Sequence, residues 1–491
     1  MAFARSLAGS PLRPAIWLAI ALLALILALA PLPALALALF YGLLIALALI
    51  DPIFGLYWAI LSVPAQEIVH LPGGLSYTQG AMLLAAGAWA LRILAHPERR
   101  ILGDPPGDDA RGAIWQFWLW SAFVWALLLA AICSRFSRVE GIKETLRWSE
   151  AFLIWLMVVA LAQRPWQIAG LIACLLLAPA AEATIGLAQF FLGSGPPSFR
   201  ISPDLPFVRA YGTIGQPNSF AGYMNMAWPL AAAIFGFWLL EFGSNAKSNI
   251  QYPISKLLLV AGCLFLSALL AGLAASLSRG AWVGAACGVL GMALALGRRA
   301  RRWAIVALGA GATGLALGGA GLLPDVLADR LASITRYLTI FDAGAIAVTP
   351  QNFAVVERMA QMQAGWRMFL AHPFTGVGPG NFTPAYPAFA VGTWYASRGH
   401  AHNYYIHILA EAGLIGALAY FALLAGVLCQ AIATLRRQNR TVWRSAAIGC
   451  CGIIAAVVGH NLFENLHVLS MGIQIAAVWG LLTVLKKHMT R

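Results

Sequence analysis

Residues 399–430 read GHAHNYYIHILAEAGLIGALAYFALLAGVLCQ. A polar head with two histidines and an asparagine gives way at Tyr404 to an apolar run whose single charged residue is Glu411. As a helix, a run of that length spans the roughly 30 Å of bilayer hydrocarbon. It also begins directly from a segment that has to stay in water. The stretch therefore reads as a membrane crossing with a polar mouth, and it sets the frame for the remaining sequence.

Outward from it, similar runs occupy 15–31, 34–50, 76–95, 114–133, 149–162, 166–192, 219–240, 257–277, 280–297, 303–323, 445–462 and 468–485, and a shorter one lies at 53–69 as a further span or a re-entrant piece. Of the 491 residues, 61% are hydrophobic and only 10% are charged, against roughly 25% charged in a soluble globular domain. That leaves too little polar surface to face water. The expected fold is all-α: a polytopic membrane protein with about 12 to 14 transmembrane helices and one large extracytoplasmic loop, 324–403, containing short helices near 325–340 and 354–371. In the second of these, Met359, Met362, Trp366 and Phe369 fall on one side and suit the outer leaflet. The run from Ala15, preceded by Arg5 and Arg13, reads as a first anchor helix and not as a cleaved leader. The seven cysteines lie in or beside apolar runs without a Cys-x-x-Cys pair, and read as packing residues.

The formal charge of +14 would suggest nucleic acid in a soluble protein, but here it fits the retention of Lys and Arg in cytoplasmic loops. Four basic groups serve as topological markers: Arg92, Arg99, Arg100 and Arg111; Arg298, Arg299, Arg301 and Arg302; Arg436, Arg437, Arg440 and Arg444; and Lys486, Lys487 and Arg491. With all four inside, 134–148, 193–218, the Ser278–Arg279 turn and 324–403 lie outside, and both termini are cytoplasmic if 53–69 crosses.

Between 257 and 485 every fixed cation is arginine. The outer candidates are Arg279, Arg330, Arg336, Arg358, Arg367 and Arg398. A guanidinium offers a planar fork of donors matched to phosphate oxygens and stays charged near lipid. For any one of them the alternative is snorkelling to lipid phosphates or pairing with Asp325, Asp329, Asp342 or Glu357. Arg279 sits at the junction of two spans, in Ser-Leu-Ser-Arg-Gly-Ala-Trp (276–282), where a buried arginine is costly and points to function. In the quoted stretch, His402 at the mouth of a helix suits proton abstraction from a hydroxyl. His400-x-His402 as metal ligands is the weaker option, because no carboxylate of suitable spacing accompanies it in sequence. Gly376–Phe382 lacks the strand–helix context and Gly-Lys-Ser/Thr ending of a nucleotide loop. Gly212–Gly222 precedes a span, with Asn218 either capping that helix or donating to a ligand.

Four elements then appear in an order that resembles the O-antigen ligase and polymerase superfamily of bacterial membrane proteins: Gly212…Pro217-Asn218…Ala221; Ser276-x-Ser278-Arg279-Gly280-Ala281; Arg358…Trp366…Pro373…Gly376-x-Gly378-x-Gly380-Asn381-Phe382; and His402-Asn403…Glu411-x-Gly413-x-x-Gly416. The resemblance covers about 212–416 and implies three parts: N-terminal helices 1–211, a ligase-like core 212–430 and C-terminal helices 431–491. It also implies a glycosyltransferase of the bacterial cytoplasmic (inner) membrane that moves a glycan from a polyprenyl diphosphate carrier, such as undecaprenyl diphosphate, to a hydroxyl of a glycan, lipid or protein acceptor. No cofactor, metal or nucleic acid is implied. Residue by residue, Arg279 and Arg358 would hold the diphosphate and His402 would act as base, with Asn218, Arg336, Arg398 and Asn403 binding substrate. A bicarbonate or small-anion transporter is the alternative; Glu182, within 166–192, is the mid-membrane charge it would call on.

Overall fold

The structure is a computed structural model that describes residues 32–67, 75–95, 108–201, 205–244, 253–318, 340–349, 352–436 and 441–488. A chain this apolar must satisfy its backbone polar groups internally wherever it meets lipid, and helices do so within one segment. The described residues accordingly form helices, with two isolated backbone bridges, Arg200 with Val208 and Val391 with Trp394, as the nearest approach to a sheet.

The helices are α1 (Leu32–Ile50), α2 (Pro52–Leu61), α3 (Tyr77–Ala95), α4 (Asp108–Cys133), α5 (Arg138–Leu161), α6 (Pro165–Leu192), α7 (Pro217–Asn225), α8 (Trp228–Ser244), α9 (Pro253–Ala275), α10 (Arg279–Leu296), α11 (Arg298–Gly318), α12 (Phe353–Ala371), α13 (Phe382–Phe389), α14 (Tyr404–Leu435), α15 (Val442–His460) and α16 (Met471–His488). Seven stretches among the described residues are long and apolar enough to cross a membrane: Tyr77–Ala95, Gly112–Cys133, Pro165–Leu192, Pro217–Leu240, Arg279–Leu296, Tyr404–Leu435 and Val442–His460. The chain is an all-α, multi-pass membrane protein.

Several expected segments take a different form. The short span expected at 149–162 extends upstream to Arg138, because Ser137 caps the helix by accepting from the Glu140 amide. The run at 53–69 is a ten-residue helix ending at Leu61, followed by a short 3-10 turn at Val63–Glu67; α2 alone rises about 15 Å, half the hydrocarbon thickness. The expected crossing at 219–240 is interrupted between Asn225 and Trp228. The loop helix expected at 354–371 is present as α12, whereas 325–340 lies outside the described residues, apart from Ile340, as do Arg330 and Arg336. The apolar side expected on α12 is divided: Met359 turns inward with Val356 and Ala360, while Trp366 remains 46% exposed.

One packing seam positions the working end of the molecule. Gly280, Gly284, Gly288 and Gly291 recur along α10 and face α15. A Cβ on Gly284 would stand 2.8 Å from the Ala456 carbonyl oxygen, and one on Gly291 would stand 2.5 Å from the Ala455 Cβ. Small residues at this spacing let two backbones approach closely where no hydrophobic force drives helices together. The seam brings Arg279, at the start of α10, level with His460, at the end of α15. The basic groups Arg298–Arg302 and Arg444 lie at the opposite ends of the same two helices.

A second device carries the loop between α12 and α14. Gly413 breaks α14 with φ 61° and ψ −163°, a backbone region open to glycine alone. The loop 373–382 docks into this break. Val377 and Gly378 donate to the carbonyls of Ala410 and Glu411, and Leu414 and Ile415 donate back to Pro373 and Phe374. The buried Glu411 carboxylate accepts from the amides of Gly380 and Phe382, both at 2.8 Å. Asn381 pairs in both directions with the backbone of Ser137, tying the loop to the start of α5. The glycine-rich motif is thus a bracket that holds α12 and the residues before α14 in place.

Candidate functional site

The site lies where the N-termini of α7, α10 and α14 meet the C-terminus of α15. Arg209, Asn218, Leu277, Ser278, Arg279, Gly280, Ala354, Arg358, His460, Phe463 and Glu464 line a cavity of about 190 Å³. Arg209 enters from the segment before α7; its Nε donates to the Ser276 carbonyl at 2.8 Å and its Nη2 to Asn218 Oδ1 at 3.0 Å. Gln216, not Asn218, is the N-cap of α7. Asn218 is therefore available to the cavity, and its Nδ2 donates to Glu464 Oε2 at 2.9 Å.

Arg279 is the first residue of α10, an 18-residue helix. A cation there opposes the positive end of the helix dipole, and Arg358 and Arg209 line the same cavity. Three guanidinium groups at a helix N-terminus form a strongly electropositive enclosure. Its natural complement is a compact polyanion. The backbone is strained on two sides of this region: Leu277 and His402 both have positive φ, 50° and 51°. Non-glycine residues hold that conformation only where their surroundings over-determine it.

Glu464 is the hub. It is 4% exposed. His400 Nε2 stands 2.9 Å and His402 Nδ1 3.2 Å from its Oε1, and Arg358 Nη2 stands 3.8 Å from its Oε2. Burial works to raise the Glu464 carboxyl, but the two imidazoles outweigh it and hold the group well below its ordinary range. Burial pushes the His402 imidazole down to about 4, against the pull of Glu464. His402 is accordingly a neutral imidazole near neutral pH. It does not line the arginine cavity but a smaller neighbour, formed with Val355, Arg358, Met359, Met362, Leu462 and Phe463. Arg358 and Phe463 are shared by both.

The ligand atoms of His400, His402 and Glu464 lie within 4.8 Å of one another, as three donors to a divalent cation would. The carboxylate is, however, already engaged by Asn218 and faces Arg358, and the adjoining cavity carries three arginines. The surroundings favour an anion over a second positive centre.

Of the residues expected from the sequence, Arg279, Arg358, His402 and Asn218 gather around the two adjoining pockets. Arg398 lies aside: its Nη2 pairs with Glu357 at 2.6 Å and its side chain is half exposed. Asn403 caps α14, accepting from the amides of Tyr405 and Ile406, and donates to the Leu462 carbonyl. Arg336 is outside the described residues. Glu182, the charge on which a transport reading draws, is turned onto a loop, accepting from the Thr213 amide at 2.8 Å and from its hydroxyl. Arg209, Glu464 and His460 join the site without a motif that marks them in the sequence. The density of polar residues in Gly459-His460-Asn461-Leu462-Phe463-Glu464-Asn465, directly after a span, was the available signal.

No curated protein matches the chain. Residues 264–421, which carry Arg279, Arg358 and His402 but stop short of Glu464, match the family described as O-Antigen ligase. The working end of this helical membrane protein thus lies in a segment similar to the O-antigen ligase family.

Proposed function

We propose that the chain transfers a glycan from a polyprenyl diphosphate carrier to an acceptor hydroxyl at the outer face of the cytoplasmic membrane. The observation that carries this reading is the enclosure of Arg209, Arg279 and Arg358 at the N-terminus of α10, beside the neutral imidazole of His402. The basic groups at the far ends of α10 and α15 support an outer location, since such groups are retained in the cytoplasm. The last helix, α16, then ends on the cytoplasmic side, where Lys486 and Lys487 stand.

The acceptor oxygen attacks the anomeric carbon of the donor sugar. The bond from that carbon to the diphosphate oxygen breaks with its electron pair, and the polyprenyl diphosphate departs. His402 takes the acceptor proton. Arg279 and Arg358, with Arg209 and Asn218 behind them, hold the diphosphate and offset the charge that grows on the leaving oxygen. Arg358 borders both pockets, which supports a meeting of donor and acceptor beside it. The capping of Asn403 and the outlying ion pair of Arg398 support structural roles for these two, next to the site and not in it.

The test is transfer from an undecaprenyl diphosphate-linked oligosaccharide by the purified full chain in nanodiscs. Arg279→Ala and His402→Ala each abolish transfer while the protein stays folded and inserted. Transfer that survives both substitutions, or normal glycan display with impaired anion uptake, rejects the reading.

A further inference from the structure

The hydrogen bonds around His402 decide which of its ring nitrogens accepts the proton. The His402 backbone amide donates to His400 Nδ1 at 3.1 Å. That nitrogen therefore carries a lone pair, and a neutral His400 has its proton on Nε2. Nε2 lies 2.9 Å from Glu464 Oε1. The other carboxylate oxygen accepts from Asn218 and faces Arg358. An ionised carboxylate can only accept hydrogen bonds, so the 3.2 Å contact between Oε1 and His402 Nδ1 requires a proton on that nitrogen. An isolated neutral imidazole prefers its proton on Nε2; here a buried carboxylate reverses the preference.

We propose that Glu464, backed by His400, is a positioning residue: it fixes His402 as the Nδ1–H tautomer and leaves Nε2 as the atom that removes the acceptor proton. This rests on the reading of His402 as base and adds the reacting nitrogen and the groups that choose it. Nδ1 is directed to Glu464, in the wall of the arginine cavity, and His402 itself lines the neighbouring pocket with Met359, Met362 and Leu462. The acceptor hydroxyl therefore arrives from the methionine side, while the diphosphate occupies the arginine side. Glu464 also stabilises the imidazolium that forms when Nε2 takes the proton. The positive φ of His402 fits a ring held in one orientation by its surroundings.

The test is nitrogen NMR of the full chain labelled with 15N-histidine in detergent micelles, with His402 assigned by its loss in His402→Gln. The wild type shows a protonated Nδ1 and a bare Nε2 at His402. Glu464→Leu moves the proton to Nε2, and Glu464→Gln, the milder variant, gives a mixture. With the undecaprenyl diphosphate-linked donor, both variants lose transfer by roughly a hundredfold or more. Binding of undecaprenyl diphosphate itself is kept or tightened, because a negative charge has left an anion-binding cavity. A role confined to folding would lose binding and turnover together. An Nε2–H tautomer in the wild type overturns the inference, as does stoichiometric zinc held by the wild type and lost in Glu464→Gln. Full transfer by Glu464→Gln when His402→Ala is inactive also overturns it. Transfer surviving in His402→Ala rejects the catalytic reading and leaves the tautomer measurement standing by itself.

Discussion

The two ends of α10 carry the same residue type to opposite purposes. Beyond its C-terminal end, Arg298, Arg299, Arg301 and Arg302 are exposed, and all but Arg301 border, with Trp303, a broad, open hollow of about 600 Å³. At its N-terminal end Arg279 is partly buried, with Arg209 and Arg358 beside it around a cavity a third that size. Exposed guanidinium groups of this kind keep their hydration and resist translocation. The enclosed group is partly desolvated and held against a helix dipole of like sign, which is the condition under which an incoming anion gains most. Arginine content alone does not distinguish a topological marker from a binding site; burial and the neighbouring helix end do.

The comparison breaks if the two ends respond alike to substitution. The largest effect is expected at the enclosed end: Arg279→Ala lowers transfer by roughly a hundredfold to a thousandfold. Arg298→Ala leaves the turnover of correctly inserted protein unchanged, as a paired transfer assay would show. Next come the fittings that hold the loop over the site. Gly413→Ala places a Cβ 2.4 Å from the Phe374 carbonyl carbon at φ 61°, and it should cost at least about 2 kcal/mol. Glu411→Leu orphans the buried amides of Gly380 and Phe382, a loss of roughly 3 kcal/mol. Thermal unfolding in detergent measures both.

Two pH dependences sharpen the contrast. His402 lies near 4 because it is buried. A base must be unprotonated to act, so transfer stays level through the neutral range and falls only as the pH drops to about 4; a level rate that instead fails near 6.5 would place the base elsewhere. His467, packed against Trp148 and Tyr404, is pushed by burial to about 3 from its ordinary 6.5. Between those values the unfolded chain binds the extra proton, so stability falls as the pH is lowered through that window. Melting temperatures of His467→Gln should show a shallower acid slope. The smallest effect is expected at Arg398, whose half-exposed pair with Glu357 is worth under about 1 kcal/mol. Arg398→Ala should retain transfer within a few-fold, and a loss as deep as that of Arg279→Ala would bring this arginine into the site.

The same division runs between what could be read in advance and what could not. Arg279 stood out because a charge at a span junction is expensive, and His402 because it sits at the mouth of a span. Arg398 and Asn403 looked equivalent to them in sequence, yet one pairs with Glu357 and the other caps a helix. The glycine-rich loop gave no hint that its amides would be spent on a carboxylate in the broken helix after it.

By itself the sequence determined that this protein is a bundle of membrane helices interrupted by one long polar segment, because hydrophobicity and charge act locally and accumulate along the chain. Only the tertiary structure decided that Glu464 stands between Asn218, Arg358, His400 and His402. Those contacts join residues far apart in the chain, and the geometry that unites them comes from a glycine seam and a broken helix, whose consequences appear only when the helices pack.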